Sequence, residues 1–149
     1  MSITAPPSGT GSGAVPRGER VVIGRIPRAA AITAAVAVVV NVIIRAIGVG
    51  SLDVSSDFDP LASIGATIIS SLVGVVGGAV VLWLLARSTA RPLRNFWFVA
   101  GAVLLLSLAG PLSLGSEPGG DATSVTVLIA MHVATAAIVL GVLTALTRE

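Results

Sequence analysis

The sequence predicts an all-α polytopic membrane protein, an antiparallel four-helix transmembrane bundle with both termini in the cytoplasm. Three observations carry that prediction: four long apolar runs, arginines gathered in alternate gaps between them, and remaining gaps that hold acidic residues but no arginine. Over the whole chain 54% of residues are strongly apolar and the mean hydropathy is +1.01, more oily surface than a water-soluble core of 149 residues needs. The excess must face something other than water.

Residues 1–24 read as a disordered, basic cytoplasmic tail. Its first part, MSITAPPSGTGSGAVPRG, is rich in Gly, Pro, Ser and Thr and has no apolar periodicity. The membrane domain occupies 25–149, with helices expected over 29–47, 61–86, 95–112 and 123–146. The first run, AAAITAAVAVVVNVIIRAI, covers about 28 Å at ~1.5 Å per residue, close to the roughly 30 Å hydrocarbon layer of a bilayer. It is longer than a signal-peptide core of about 7–15 residues and no Ala-x-Ala cleavage site follows it, so it reads as a retained helix.

The second run opens at Asp59-Pro60, where Asp can cap the first amides and Pro can take the first helical position. Trp83 near its far end suits an interfacial anchor. Arg87, Arg91 and Arg94 follow, and Pro92 bars one continuous helix. The third run starts with the aromatic group Phe96, Trp97 and Phe98, and Pro111 marks its end or a kink. After a Gly/Pro-rich loop over 115–122 the fourth run crosses, with Asp121, Thr123 and Ser124 as alternative N-caps. VAVVV, LVGVV and VLLLSL do not alternate as barrel strands do, and a helix satisfies its own backbone in lipid.

Charge sets the expected orientation. Arg17, Arg20, Arg25, Arg28, Arg87, Arg91, Arg94 and Arg148 fall on one side of the four crossings; Asp53, Asp57, Asp59, Glu117 and Asp121 fall in the loops of the other. By the positive-inside rule the arginine side is cytoplasmic, which gives a multi-pass protein of the bacterial cytoplasmic membrane with N-in and C-in ends.

The inventory for chemistry is short. Cysteine and lysine are absent, there is one histidine, and all nine basic residues are arginine. Thiolate nucleophiles, thiolate metal sites, disulfides and Schiff-base lysines are excluded together. No phosphate loop, dinucleotide fingerprint, zinc-protease motif or nucleophile elbow is present, and GVVGG at Gly74 to Gly78 lies inside an apolar helix with no lysine after it. Neither a metal nor a cofactor is expected. The arginines sit beside apolar runs, a placement for membrane orientation and not for nucleic acid.

One polar residue per span falls in the outer half of the expected bundle. Asn41, Thr67, Ser107 and His132 each count to roughly 10 Å below the outer boundary, with Arg45 one turn above Asn41 on the same face. If their faces converge they form a hydrogen-bonded layer or line an outward-facing pocket. For His132 the plain reading is a neutral ring bonded to another helix; for Arg45 it is an interfacial guanidinium that snorkels or pairs with Asp53, Asp57 or Asp59. Small residues recur every four positions in the second span, at Ala66, Ser70, Gly74 and Gly78, and in the fourth at Ala137 and Gly141. Such faces let helices approach closely within a monomer or across a dimer seam.

SLAGPL at Ser107 to Leu112, followed by MHVATAAIVLG from Met131, resembles a family of small four-helix integral membrane proteins of actinobacteria, classed as a domain of unknown function. The resemblance covers about 25–146 and implies the four-pass fold, with no activity to carry over. The leading functional expectation is a noncatalytic interaction or accessory protein, whose partners are membrane lipids and a second copy or another membrane protein. One alternative is binding or transport of a small molecule, lipid or ion through the polar pocket; the other is a membrane enzyme.

Overall fold

The structure, a computed structural model, describes residues 20–52, 54, 58–116 and 120–149, the Asp59 side chain apart. Among these residues four helical segments are long and apolar enough to cross a membrane: Ile23–Ser51, Ile64–Ser88, Pro92–Ser116 and Ala122–Thr147. Among the described residues there is no strand, only an isolated bridge between Val21 and Arg148.

A 3-10 turn at Ile23–Arg25 leads into α1, Ile26–Ser51, which carries Pro27 in its first turn where a missing amide costs no bond. The helix runs past the expected 29–47 at both ends. The second span departs from expectation. Asp59–Ala62 forms a separate short helix, α2, and the chain is extended at Ser63, with φ −110° and ψ 128°. Ser63 then caps α3, Ile64–Ser88, its Oγ accepting from the Gly65 amide at 3.2 Å. A serine side chain competes with the helix for backbone amides, which is why the helix restarts here and not at Asp59-Pro60.

Helix α4, Pro92–Ser107, begins at the proline itself, three residues before the apolar run. Pro111 has no amide to offer the Ser107 carbonyl, and the helix is interrupted at Leu108 before continuing as α5, Ala109–Ser113, and a 3-10 turn to Ser116. Helix α6, Ala122–Ile138, is capped by Asp121, whose Oδ1 accepts from the Ser124 amide at 2.7 Å. A π-helical turn at Val139–Leu143 follows, then α7, Thr144–Thr147.

Helix α1 packs mainly on α3 and α6, while α4 touches α3 and α6. The ends of the chain meet: the Val22 amide donates to the Thr147 carbonyl at 2.8 Å, and the Glu149 amide to Arg20 at 3.2 Å. Two apolar clusters form the core. One joins Ile26, Ala37, Val75, Leu82, Phe96, Val139 and Leu143; the other joins Val54, Phe58, Leu61, Val127, Leu128 and Met131. Elsewhere the surface is oily, with Ile69, Val73, Phe98, Leu105 and Leu106 all exposed, a surface far more apolar than water tolerates on a monomer.

Candidate functional site

Between the two apolar clusters lies a polar layer centred on Asn41, which is 2% exposed. Its Nδ2 donates to Ser71 Oγ at 2.9 Å on α3 and to Thr135 Oγ1 at 2.7 Å on α6, so one amide ties three helices together. The direction of these bonds follows from the hydroxyls. Ser71 Oγ gives its proton to the Thr67 carbonyl at 2.7 Å and Thr135 Oγ1 gives its own to Met131 at 2.9 Å. Both oxygens therefore have only lone pairs left for Asn41, which must face them with its donor end. Asn41 Oδ1 is left buried without a protein partner, as is Thr67 Oγ1.

Beside this layer a groove of about 450 Å³ runs between α3, α4 and α6, with Asn41 in its floor. Its origin lies in α4. The buried residues of that helix, Pro92, Leu93 and Phe96, all fall in its first turns; none from Trp97 to Ser107 is buried. Past Phe96 the helix stands off the bundle, and Gly74, Gly77, Ala100 and Ala136 line the gap with too little side chain to close it. A Cβ built at Gly77 meets nothing within 4 Å. The mouth is bordered by Val73, Val99 and Val103, all exposed, so the groove opens on the apolar outer surface.

The five expected polar residues are divided. Asn41, Ser107 and His132 line the groove; Thr67 is buried one turn from Ser71 and Arg45 lies elsewhere. Among the described residues His132 bonds its own helix, where a bond to another helix is expected. Its Nδ1 is 2.8 Å from the Leu128 carbonyl of its own helix, since an i−4 carbonyl is the nearest partner in an apolar span. Arg45 donates from Nε to the Leu61 carbonyl at 2.9 Å and from its guanidinium to Ala62 at 3.0 Å, at the end of α2. Its expected partners Asp53 and Asp57, and the Asp59 side chain, lie outside the described residues. Ser71, Thr135 and Gly77 were not singled out by sequence, although Ser71 stands four residues from Thr67 and Thr135 three from His132, spacings that share a helix face.

The small-residue faces are divided too. Gly78 packs tightly: a Cβ there would lie 2.7 Å from Val139 Cγ1, and one at Gly74 would lie 3.2 Å from Thr135 Cγ2. Ala66 and Ser70 are exposed, because the buried stripe of α3 is the neighbouring one, Thr67, Ser71, Val75 and Ala79. Ala137 and Gly141 are exposed, and a Cβ at Gly141 would meet nothing within 4 Å. Among the described residues no three His, Cys, Asp or Glu side chains gather as a metal site.

A family model described as "Family of unknown function (DUF6069)" matches residues 18–149. The chain belongs to this family. The match includes the four spans and every groove residue named above, so in this DUF6069 protein the groove lies inside the family domain. No curated protein and no solved structure matches the chain.

Proposed function

We propose that this chain is a noncatalytic membrane-embedded binding protein that holds a small amphiphilic molecule in the groove between α3, α4 and α6. The observation that carries the reading is the groove itself: about 450 Å³, lined mostly by apolar side chains, with a few polar groups converging from α1, α3, α4 and α6. Small-molecule sites have this composition and typically fall at roughly 300–1,000 Å³. Its mouth among lipid-facing valines favours a molecule that partitions into the bilayer and enters sideways. The test is native mass spectrometry of protein released from lipid nanodiscs. A bound small molecule should be present in the wild type and lost in Gly77→Leu, whose Cβ enters open space and whose remaining atoms extend into the groove. A wild type with nothing bound, or equal retention by the variant, refutes the reading.

The orientation belongs to the same proposal: an antiparallel bundle in the bacterial cytoplasmic membrane, with both ends inside. It is supported by the arginine distribution and by the hydrogen bonds that join Val22 to Thr147 and Arg20 to Glu149. Because the chain has no cysteine, single cysteines at Ser88 and Ser113 can be labelled from each side of intact cells. Ser113 should react with an impermeant reagent from outside and Ser88 should not; the reverse pattern refutes the orientation. A second reading, contact with another copy, is favoured by the exposed small face at Ala137 and Gly141.

A further inference from the structure

The polar groups of the groove present acceptors, and the direction of each bond follows from chemistry. A backbone carbonyl only accepts, so a hydroxyl or ring nitrogen bonded to one must supply the proton. Ser70 Oγ donates to the Thr67 carbonyl at 3.1 Å and Ser107 Oγ to the Leu104 carbonyl at 2.8 Å. Ser71 and Thr135 spend their protons the same way, and the Asn41 amide is spent on those two oxygens. His132 Nδ1 sits against the Leu128 carbonyl, so that nitrogen carries the proton; in this tautomer Nε2 keeps a lone pair, which no described protein group bonds.

Among the described residues no Arg, Asp or Glu lines the groove, and Arg45, the cation expected beside this layer, is engaged by the Leu61 and Ala62 carbonyls. A cationic head would find no carboxylate there and an anionic head no guanidinium, and each would lie unpaired in an apolar setting at high cost. A quinone, ketone or ether of the same size would set lone pair against lone pair. To help it, a serine would have to give up the bond to its own helix.

We infer that the ligand brings the donor: a neutral amphiphile with a hydroxyl head, its O–H directed at His132 Nε2 and its chain laid along Gly77, Ala100 and Val103. Asn41 Oδ1 is a further acceptor but is buried, and of the acceptors that remain the ring nitrogen of half-buried His132 is stronger than the hydroxyl oxygens of Ser70 and Ser107. The inference rests on the groove being a binding site, and it assigns the class of molecule that site selects.

The probes are a diazirine-tagged dodecanol and its methyl ether, alike in chain and unlike only in the donor. Wild-type protein in lipid nanodiscs is illuminated with each, and labelled residues are mapped by mass spectrometry. The alcohol should label groove residues of α3 and α4 at about tenfold lower concentration than the ether, the worth of one hydrogen bond. His132→Leu should bring the alcohol down to the level of the ether, and Gly77→Leu should shut out both. Equal labelling by the two probes in the wild type, which needs no variant to fold, overturns the inference and leaves the groove a binding site. An alcohol preference that survives His132→Leu does the same. Failure of both probes to label the groove, or crosslinks there only to a second copy of the chain, overturns the binding reading and the inference together.

Discussion

Asn41 offers the sharpest test of the bond directions in the polar layer. Replacing it by valine removes two interhelical bonds, to Ser71 and Thr135. Such bonds average about 0.6 kcal/mol each between transmembrane helices, so their loss costs about 1 kcal/mol. The same change removes the buried, unpartnered Oδ1, which relieves about 1 kcal/mol or more. Neither hydroxyl is stranded, because each still donates to its own helix. Asn41→Val should therefore stay within about 1 kcal/mol of the wild type. Asn41→Asp has nearly the same shape but sets an oxygen against two lone pairs and adds a buried charge, costing about 3 kcal/mol. Unfolding in mixed micelles of rising denaturing-detergent fraction, followed by circular dichroism, reads both. A loss above about 2 kcal/mol for Asn41→Val, or wild-type stability for Asn41→Asp, would refute the assignment of donors and acceptors in this layer.

Three further outcomes follow from the packing and the caps. Gly78→Ala drives a methyl to 2.7 Å from Val139 and should cost about 1–3 kcal/mol, whereas Gly141→Ala meets nothing within 4 Å and should be neutral or stabilising in the same detergent titration. Arg45→Lys cannot span the Leu61 and Ala62 carbonyls with a planar fork, so amide exchange over Asp59–Ala62 should quicken while the α3 core is unchanged. Asp121 is held below the usual carboxylate range first by the Ser124 amide and then by the Ser124 hydroxyl. With a lowered folded value, its contribution is complete above about 3.8 and fades as pH falls through the folded value. Acid melting curves should show that fade in the wild type and not in Asp121→Ser, which keeps a capping oxygen that does not titrate.

The existence of four membrane-length helices was legible because it depends on segments taken singly. A run such as 29–47 has the hydropathy to leave water and the length to cross, and its backbone must then bond internally whatever surrounds it. Helix ends were read less well where a side chain intervened. Ser63 restarts the second span, and Pro111 divides the third, both through local competition for backbone amides. Counting residues also placed Asn41, Ser107 and His132 at a common level, and all three line the groove.

Which way each helix turns was a different matter. In water, polar and apolar faces reveal rotation; in α3 and α6 nearly every face is apolar, so periodicity carries little information about which side meets a neighbour. The every-fourth-residue stripe from Ala66 to Gly78 is real, but the bundle buries the adjoining stripe from Thr67 to Ala79, one residue or about 100° around the helix. Composition determined four helices long and apolar enough to span a membrane, and little equipment for chemistry. Tertiary packing alone decided that α4 stands away past Phe96, that Asn41 joins three helices, and that a groove opens beside it, because those outcomes depend on how helices meet and not on what any one contains.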